Sequence, residues 1–339
     1  MDVDLARLYD REGDAAFIDQ QEPHSFITMK SYLESLKATK VEYNNSTNSV
    51  RFKWNGVRIE YNFNKEINTR SYDMIAEYFK LDDRVLPFIQ TLKLFFRANL
   101  RNHGIRFYAF QIMALSYLIS LDPPVLPNLQ NLFQHDPTDT CRSAECNTKF
   151  CFWDTAIYNN KRVGVAARFH DCVVLDRSQP KTQYQVEFNE TTQHYYWNSA
   201  NTSALDQLLM DFMCFWGYHF DYSKLAISLK MGGFTTIKQE FEDDRIIIED
   251  PFMSGVNLAR DIVAMSSFVE ALQSAFLMLY QSIPIEKVIK NLDLNIQSQS
   301  PPISYSCLLH QPSYANNIKT LLFLNLPELA EDERESHCY

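Results

Sequence analysis

Apolar and polar positions alternate in short runs over the first sixty-five residues, as they do in strands with one exposed face, around one stretch of helical spacing. The predicted elements are a strand over residues 1–9, a helix from Phe26 to Leu36, and strands around Val41–Tyr43, Val50–Lys53 and Val57–Phe63. The pair Asn55-Gly56 lies between the last two strands, and this pair is typical of a two-residue hairpin turn. We therefore predict a small α+β unit over residues 1–65.

The pattern becomes helical after this unit. From about Ile67 to Gln130, apolar residues recur every three or four positions. Asp82 or Asp83 is a candidate N-cap for a helix that begins near Val85. The next helix, from Phe107 to Leu121, is apolar on nearly every side, and the prolines that follow end it. A helix of this kind is expected at the centre of the fold.

The second half of the chain begins with a polar stretch, residues 134–200, that has no helical period. It predicts an insertion with some strand content. The elements predicted after it are a buried helix from Leu205 to Trp216, a strand over Arg245–Glu249, a turn at Asp250-Pro251, and a long helix from about Asn257 to Tyr280. Residues 286–339 are predicted to form a loosely ordered tail. The helical body therefore comprises residues 66–133 and 201–285.

Composition narrows the classes of protein. The chain is 46% hydrophobic and 22% charged, so it can bury a core and is not wholly disordered. A net charge of −10 argues against a generally basic surface that coats nucleic acid, although a local basic groove stays open. None of the eight glycines has Rossmann or P-loop spacing. Without an apolar leader or long apolar run, we expect neither secretion nor a membrane span.

Carboxylates at three positions are candidates for a metal site. Asp2 and Asp4 are two residues apart on a predicted strand, so both side chains point to the same side. Glu60, on a strand of the same predicted sheet, can supply a third carboxylate. Such a set can hold a pair of divalent ions for displacement at phosphorus. A chance Asp-x-Asp and an exposed strand glutamate are the alternatives.

A basic stripe runs along one predicted helix. Lys93, Arg97 and Arg101 are spaced four residues apart, which places them on one face. Lys93 borders the buried face, so its amine is expected to point towards a cleft. The stripe is either a solvated helix face or a triphosphate clamp.

Cysteines are scattered through the chain, seven in all, and this fits a reducing compartment better than a disulfide framework. We therefore predict a cytoplasmic protein, with the nucleus as the alternative. The spacing of Cys141, Cys146, Cys151 and Cys172 does not contain the C-x2-C pairs of a typical zinc site. A zinc site with His170 is the alternative, but the spacing leads us to predict that these four cysteines do not form one.

Four strings, in this order and at these separations, carry a resemblance to a known family. They are Asp2-Val3-Asp4-Leu5, Lys80-Leu81-Asp82-Asp83-Arg84-Val85 leading to Lys93, Pro123-Pro124-Val125-Leu126-Pro127-Asn128-Leu129-Gln130, and Glu249-Asp250-Pro251-Phe252 with Asn257 and Arg260. From residue 2 to about 285 the chain resembles the noncanonical RNA nucleotidyltransferases, which are the cytoplasmic poly(A) polymerases and terminal uridylyltransferases of the DNA polymerase β-like superfamily.

The resemblance implies an α+β fold, in which a polymerase β-like nucleotidyltransferase palm, incomplete at its N-terminus, joins a mostly helical poly(A)-polymerase-associated domain. It implies magnesium or manganese as the cofactor, ATP or UTP as the nucleotide, and an RNA 3′ end as the partner, without DNA or membrane. The implied metal ligands and catalytic residues are Asp2, Asp4 and Glu60. The implied nucleotide-binding residues are Lys93, Arg97, Tyr108, Asn257 and Arg260, with Asn257 near the base. Asp2, Asp4, Glu60, Lys93 and Arg97 are expected to converge on one cleft between the two units.

Several site positions depart from the family pattern. No glycine-serine pair precedes Asp2, and the third carboxylate is Glu60 rather than an aspartate. The family's serine-serine-tyrosine string appears as Arg106-Phe107-Tyr108, and the tyrosine that stacks on the base falls near Thr202. The histidine that favours uracil in some uridylyltransferases corresponds roughly to Val256. These departures predict weak catalysis or none.

Three interpretations of the sequence stay open. The chain is an RNA-tailing enzyme, an inactive relative that binds RNA or a protein partner, or part of a longer product whose upstream segment holds the glycine-serine pair.

Overall fold

The structure is a computed structural model, and the chain forms two compact units, residues 1–66 and 67–339. The residues that it describes are 24–44, 49–62, 66–132, 141–144, 146, 153–158, 161–178, 186–238, 241 and 244–290. The predicted strand over 1–9 and most of the predicted tail lie outside them. Within the described ranges, no helix combines the length and apolarity needed to cross a bilayer.

The first unit is one helix on a three-stranded antiparallel sheet. It comprises α1 (His24–Ser35), β1 (Thr39–Asn44), β2 (Ser49–Trp54) and β3 (Val57–Asn62), with β2 in the middle. Asn55 and Gly56 have φ angles of 48° and 82°, as the predicted two-residue turn between β2 and β3 requires. The apolar face of α1 packs on buried Val50 and Phe52 of β2. The predicted elements of this unit are confirmed wherever the structure describes them.

The second unit is a helical body with small sheets attached. Its helices are α2 (Glu66–Leu81), α3 (Val85–Phe95), α4 (Phe107–Ser120), α5 (Leu205–Cys214), α6 (Met265–Tyr280) and α7 (Ile285–Lys290). Two of them continue into a π-helical turn, α3 over Phe96–Leu100 and α5 over Phe215–His219. The hairpin of β9 (Leu225–Ser228) and β10 (Gly233–Thr236) packs against α4.

Helix α4 is the centre of this unit, as its apolar sequence predicts. Nearly every residue from Ala109 to Ser120 is buried. Phe212 of α5 makes edge-on contacts with Phe88 of α3 and with Phe110 and Tyr117 of α4, at ring-centroid distances of 5.6, 5.7 and 5.5 Å. Such aromatic pairs add about 0.5–1.5 kcal/mol each beyond the burial of their area. The three helices are therefore held together around one ring.

The proline string that follows α4, residues 123–130, collects hydrogen bonds from distant parts of the chain. Its backbone carbonyls accept from Asn201 Nδ2 at Pro123, Ser199 Oγ at Pro124, Trp197 Nε1 at Val125 and the His170 amide at Leu129, over 2.9, 2.7, 3.1 and 2.7 Å. The segment has no regular secondary structure, so these bonds replace the partners that a helix or strand would provide.

The insertion contains strands, as predicted. They are β4 (Trp153–Tyr158), β5 (Lys161–Ala166), β6 (Val173–Leu175), β7 (Glu187–Asn189) and β8 (His194–Trp197). β4 and β5 form a hairpin, and β8 lies between parallel β6 and antiparallel β7. The amide of Ala166, at the end of β5, donates to the Phe252 carbonyl over 2.9 Å. The insertion is thereby attached to the Glu249-Asp250-Pro251-Phe252 string.

Two predictions for residues 245–280 were wrong. Arg245–Glu249 is not a strand but contains two isolated bridges, Ile248 with Ile227 and Glu249 with Asn257. The long helix begins at Met265 rather than near Asn257. In the segment between them, the Asn257 side chain bonds to the backbone at Ile246, Ile248 and Ala259 and so supplies partners to an irregular chain.

Candidate nucleotide site

Of the three predicted metal ligands, Glu60 alone is among the residues that the structure describes. Asp2 and Asp4 lie outside the described residues. Glu60 is in β3, where its backbone pairs with Arg51 of β2. The metal-binding role of these carboxylates, and their convergence with Lys93 and Arg97, stay predictions.

Lys93 lies in the last turn of α3, on the exposed side, and its Nζ atom is 5.6 Å from the centroid of the Phe107 ring. A cation over an aromatic face is attracted by the ring quadrupole. Phe107 is the first residue of α4, so this contact keeps the lysine charge at the start of that helix. Arg97 is also exposed, in the π-helical turn that follows α3.

The start of α4 is suited to an anion. Arg106, the N-cap residue, has extended backbone angles (φ −90°, ψ 152°) and makes no side-chain capping hydrogen bond. The first amides of a helix point outwards and carry a partial positive charge. With the Lys93 ammonium held beside them, these amides can stabilise a phosphate group.

Tyr108, the second residue of α4, joins this cluster to two other elements. Burial raises the pKa of its hydroxyl well above the ordinary range, the nearby Asp250 carboxylate raises it further, and the nearby Ser71 side chain lowers it. Ser71 belongs to α2 and Asp250 to the loop after residue 249. Tyr108 is therefore a neutral hydroxyl where α2, α4 and this loop meet.

Asp250 is fixed by its own loop. Its Oδ1 atom accepts hydrogen bonds from the Phe252 and Met253 amides over 2.8 and 2.9 Å. Burial raises the pKa of this carboxyl, and the two amide bonds partly offset that effect. The next carboxylate along the chain, Glu249, pairs with Lys238 over 2.7 Å. The loop therefore positions one half-buried carboxylate near Tyr108.

Asn257 does not have a free amide group for a base. Its Oδ1 accepts from the Ile248 and Ala259 amides, each over 2.9 Å, and its Nδ2 donates to the Ile246 carbonyl and Asp244 Oδ2 over 2.8 and 3.0 Å. An asparagine amide has two donors and two lone pairs, so all four are engaged. The side chain is therefore bonded within the protein, and the base contact that the resemblance implies stays a prediction. Arg260, close by, is exposed.

The predicted aspartate cap of α3 is also wrong. The helix is preceded by Arg84, whose guanidinium binds Asp82 through Nε (2.9 Å) and a terminal nitrogen (2.7 Å). The same guanidinium donates to Asn201 Oδ1 and the Ser203 carbonyl over 3.2 and 2.8 Å. The string from Lys80 to Val85 thus connects α2 and α3 to the start of α5. A planar arginine fork, rather than a cap, explains its charges.

The cysteines of the insertion depart most from the sequence expectation. Cys141, Cys146, Cys172 and His170 come together, with their ligand atoms all within 4.8 Å of one another. Cys151 lies outside the described residues. The prediction against a metal site relied on the absence of C-x2-C pairs, whereas the structure brings together C-x4-C and His-x-Cys. The signal that sequence reasoning undervalued is His170 two residues before Cys172.

Comparison with known proteins gives three sets of relatives. The profile of the family described as Cid1 family poly A polymerase matches residues 204–254. Over 278 residues the chain is 25% identical to the poly(A) RNA polymerase gld-2 homolog A of Drosophila melanogaster, covering 78% of this chain and 17% of that protein. It is 23% identical to the poly(A) RNA polymerase GLD2-A of Xenopus laevis, covering 79% of this chain and 47% of that one. The chain therefore spans less than half the length of either relative.

Solved structures resemble the fold. A Cid1 poly(U) polymerase bound to MgATP covers 80% of this chain and 78% of its own, with a TM-score of 0.58 and 18% identity. An mtPAP complex with ATPγS covers 83% of this chain and 56% of its own, with a TM-score of 0.52 and 18% identity. These matches confirm the predicted α+β nucleotidyltransferase fold.

Proposed function

Since this chain belongs to the family of noncanonical poly(A) and poly(U) polymerases, the Cid1-like nucleotidyltransferases, we propose that it adds AMP or UMP to RNA 3′ ends without a template. The observation that carries the proposal is the cluster at the start of α4. There the Lys93 ammonium lies over Phe107, and Tyr108 lies near the half-buried carboxylate of Asp250. Positive charge beside an uncapped helix start suits a triphosphate.

In this proposal the residues of the second unit bind and orient the nucleotide. Lys93 acts as a point charge on the triphosphate, and Arg97 provides a planar fork for its oxygens. Tyr108 stays protonated at physiological pH because its pKa is raised, so it can donate a hydrogen bond. Phosphoryl transfer depends mainly on positioning and charge stabilisation, and these groups provide both.

Asp2, Asp4 and Glu60 would hold magnesium, or manganese in its place. Carboxylate oxygens are the ligands that these hard cations prefer, so the donor set fits. When bound, such ions activate the attacking 3′ hydroxyl and stabilise the leaving pyrophosphate. Glu60 is one methylene longer than aspartate, by about 1.5 Å, whereas catalytic constellations tolerate about 0.5 Å.

We therefore propose weak catalysis, with an inactive RNA- or protein-binding scaffold as the second candidate. The observation that favours the scaffold is Phe107, which presents an aromatic ring to Lys93 where the family pattern has a serine hydroxyl. Losing one preorganised hydrogen-bond donor typically costs about a hundred- to a thousandfold in rate. The proposed location is the cytoplasm, with an RNA 3′ end as partner and neither DNA nor membrane.

The decisive experiment is extension of a short labelled RNA by the full chain, with ATP or UTP and magnesium or manganese. A variant carrying Asp2→Ala and Asp4→Ala is assayed beside it. We expect slow extension that the double variant abolishes. Equal signals from the two proteins would reject the enzyme and leave the scaffold.

Nucleotide binding separates the remaining outcomes. We expect Lys93→Ala to weaken ATP binding about 10- to 100-fold, the loss of one charge-assisted contact. Its control is Lys80→Ala, because Lys80 is exposed and pairs with Glu77. Unchanged binding in Lys93→Ala would contradict the proposed triphosphate site.

A further inference from the structure

We propose that Cys141, Cys146, His170 and Cys172 bind one zinc ion that has a structural role. These residues bring three sulfur atoms and one imidazole nitrogen to within 4.8 Å of one another. Thiolate and imidazole are the ligands from which structural zinc sites are built, in sets of four. The site lies in the insertion, and the proposed nucleotide transfer does not use it.

Three of the distances between the ligand atoms are close to those of a coordination tetrahedron. Zinc binds sulfur at about 2.3 Å and imidazole nitrogen at about 2.05 Å, so tetrahedral angles place two sulfurs about 3.8 Å apart and nitrogen about 3.6 Å from sulfur. Cys141 Sγ and Cys172 Sγ are 3.7 Å apart. His170 Nδ1 is 3.5 Å from Cys146 Sγ and 4.0 Å from Cys172 Sγ. These three separations are within about 0.4 Å of the tetrahedral values, and all six lie within 4.8 Å, so a small closing of the cluster would bring every ligand to a single ion.

Two other uses of the cluster fit less well. A disulfide between Cys141 and Cys172 needs its sulfurs about 2.05 Å apart, far closer than 3.7 Å. A catalytic metal needs an open coordination position, whereas this set provides four protein ligands. Cys146, His170 and Cys172 have exposed fractions of 0%, 8% and 4%, and Cys141 is half-buried, so the site is largely closed to solvent. A closed four-ligand site is typical of structural zinc.

The local backbone explains how the ligands come together. His170 and Cys172 are two residues apart just before β6, and their ligand atoms lie 4.0 Å apart on the same side of the chain. Tyr195 of β8 bonds to both of the chain segments that provide the ligands. Its amide donates to the Cys172 carbonyl over 2.9 Å, and its hydroxyl accepts from the Arg142 amide over 3.0 Å.

The position of the cluster gives the metal its role. The His170 amide donates to the Leu129 carbonyl of the proline string. Close to it along the chain, the Phe169 ring lies 6.3 Å from the Phe252 ring. A metal bound here would close the chain between residues 141 and 172 and hold it against both strings. Zinc would therefore support the loop that carries Asp250, about which the proposed nucleotide site is built.

Binding has a defined proton balance. Three thiols lose their protons to become thiolates, and His170 coordinates as neutral imidazole through Nδ1, so the occupied site carries one net negative charge. No oxidant or reductant takes part. Soft thiolate ligands select zinc over magnesium or calcium, so the proposed magnesium site does not compete for the same ion.

The first test is the metal content of the full chain, purified without chelator and analysed for zinc, iron and copper. We expect one zinc per chain. A thiol-modifying reagent should release this zinc as it modifies the three cysteine ligands. Cobalt substituted for zinc should give the intense visible spectrum of a tetrahedral sulfur-rich site. A purified chain that lacks zinc, or carries a disulfide between Cys141 and Cys172, and does not take up zinc after reduction would overturn the proposal.

Variants test the ligand set itself. Cys146→Ala and His170→Ala should fall from one zinc per chain to near zero, whereas His170→Cys should retain zinc, because a fourth thiolate replaces the imidazole. The matched control is Cys214→Ala, which removes a buried cysteine of α5 outside the cluster. Cys151→Ala should also keep its zinc, since four ligands already complete the site. Full zinc content in Cys146→Ala would overturn the assignment.

If a variant fails to fold, the zinc content of the parent chain still tests the proposal. Cobalt-substituted His170→Cys should show a spectrum shifted from that of the parent, since the donor set changes from three sulfurs and one nitrogen to four sulfurs. An identical spectrum would show that His170 is not a ligand and would overturn the proposed set.

Discussion

The Asn257 side chain supplies hydrogen bonds to the backbone of an irregular segment. Its amide group binds the backbone of Ile246, Ile248 and Ala259. The buried run Ile246–Ile248 bonds to Ile227 of β9 through an isolated bridge instead of a regular strand pair. The sequence could not predict this arrangement, because an asparagine before an apolar helix is equally typical of an N-cap. The hydrogen bonds that decide between the two come from residues 9 and 11 positions away.

We expect Asn257→Ala to lower the free energy of unfolding by about 2–5 kcal/mol, because it leaves buried amides and carbonyls without partners. Urea denaturation measures the effect. The control is Asn102→Ala at an exposed turn position, which should change stability by less than about 0.5 kcal/mol. If Asn257→Ala instead kept its stability and lost affinity for ATP, the residue would contact the nucleotide after all.

Asp250 is a charged group held at some cost in stability. Burial disfavours its ionised form, which raises the pKa of the carboxyl in the folded chain. The folded state is therefore favoured most at low pH, where the carboxyl is protonated, and this contribution is lost as pH rises through the raised pKa. Asparagine keeps an oxygen acceptor for the Phe252 and Met253 amides but carries no charge.

We accordingly expect Asp250→Asn to be at least as stable as the parent chain at pH 7. Its stability should fall less between acidic and neutral pH. Urea denaturation of both proteins at several pH values measures this, with Asp73→Asn at an exposed position of α2 as the control. A loss of stability at pH 7 in Asp250→Asn alone would mean that the ionised carboxylate stabilises the fold.

Among the elements, the connection between α3 and α4 sets the position of the nucleotide cluster. Gly104 in this connection has φ +82°, and a Cβ atom there would lie 2.0 Å from the Asp261 carbonyl oxygen. The Val263 amide donates to the His103 carbonyl over 3.0 Å, so the two loops are bonded as well as packed. The start of α4 therefore depends on the loop that precedes α6.

Gly104→Ala should destabilise the second unit by about 2–5 kcal/mol. A left-handed backbone costs a residue with a Cβ about 1–2 kcal/mol, and the overlap with Asp261 adds about 1–3 kcal/mol. The midpoint of urea unfolding measures the change. Gly164→Ala is the matched control, because a Cβ there meets no atom within 4 Å and φ is not positive. Similar losses in both variants would rule out this packing argument.

Elements with a strong local signal could be predicted from sequence, and elements defined by distant partners could not. The long apolar run of α4, ended by prolines, and the pair Asn55-Gly56 each determine a structure within a few residues. The start of α6 and the cysteine cluster depend on contacts between segments far apart in the chain. The spacing of Cys141 and Cys146 has no meaning until His170 and Cys172 are brought beside them.

For the whole molecule, the family resemblance predicted more of the candidate site than the hydrophobic periodicity did. Four strings in order predicted the fold that the structural relatives confirm. The roles of individual residues stay predictions: the Asn257 side chain is bonded within the protein, and the Lys93 ammonium, from α3, lies beside the start of α4. A string can be kept for packing as well as for chemistry, and only the partners of each side chain distinguish the two.

The whole chain should bind ATP at least as tightly as UTP. Discrimination between bases needs a polar contact to the base edge, and Val256 offers none. Equilibrium binding of each nucleotide with magnesium measures the ratio. Lys93→Ala is the control that should weaken both to the same extent, because the triphosphate is common to them. A clear preference for UTP in the parent chain would contradict this prediction.

The proline string and the side chains that donate hydrogen bonds to it should differ in their tolerance to mutation. Its acceptors are main-chain carbonyls, which every amino acid has, so replacing a side chain in the string does not remove them. Their side-chain donors, Trp197, Ser199 and Asn201, have no such substitute. A scan of single substitutions that measures folding should therefore find larger losses at Trp197, Ser199 and Asn201 than within the proline string. These three residues lie some seventy positions along the chain from the segment that their hydrogen bonds hold in place.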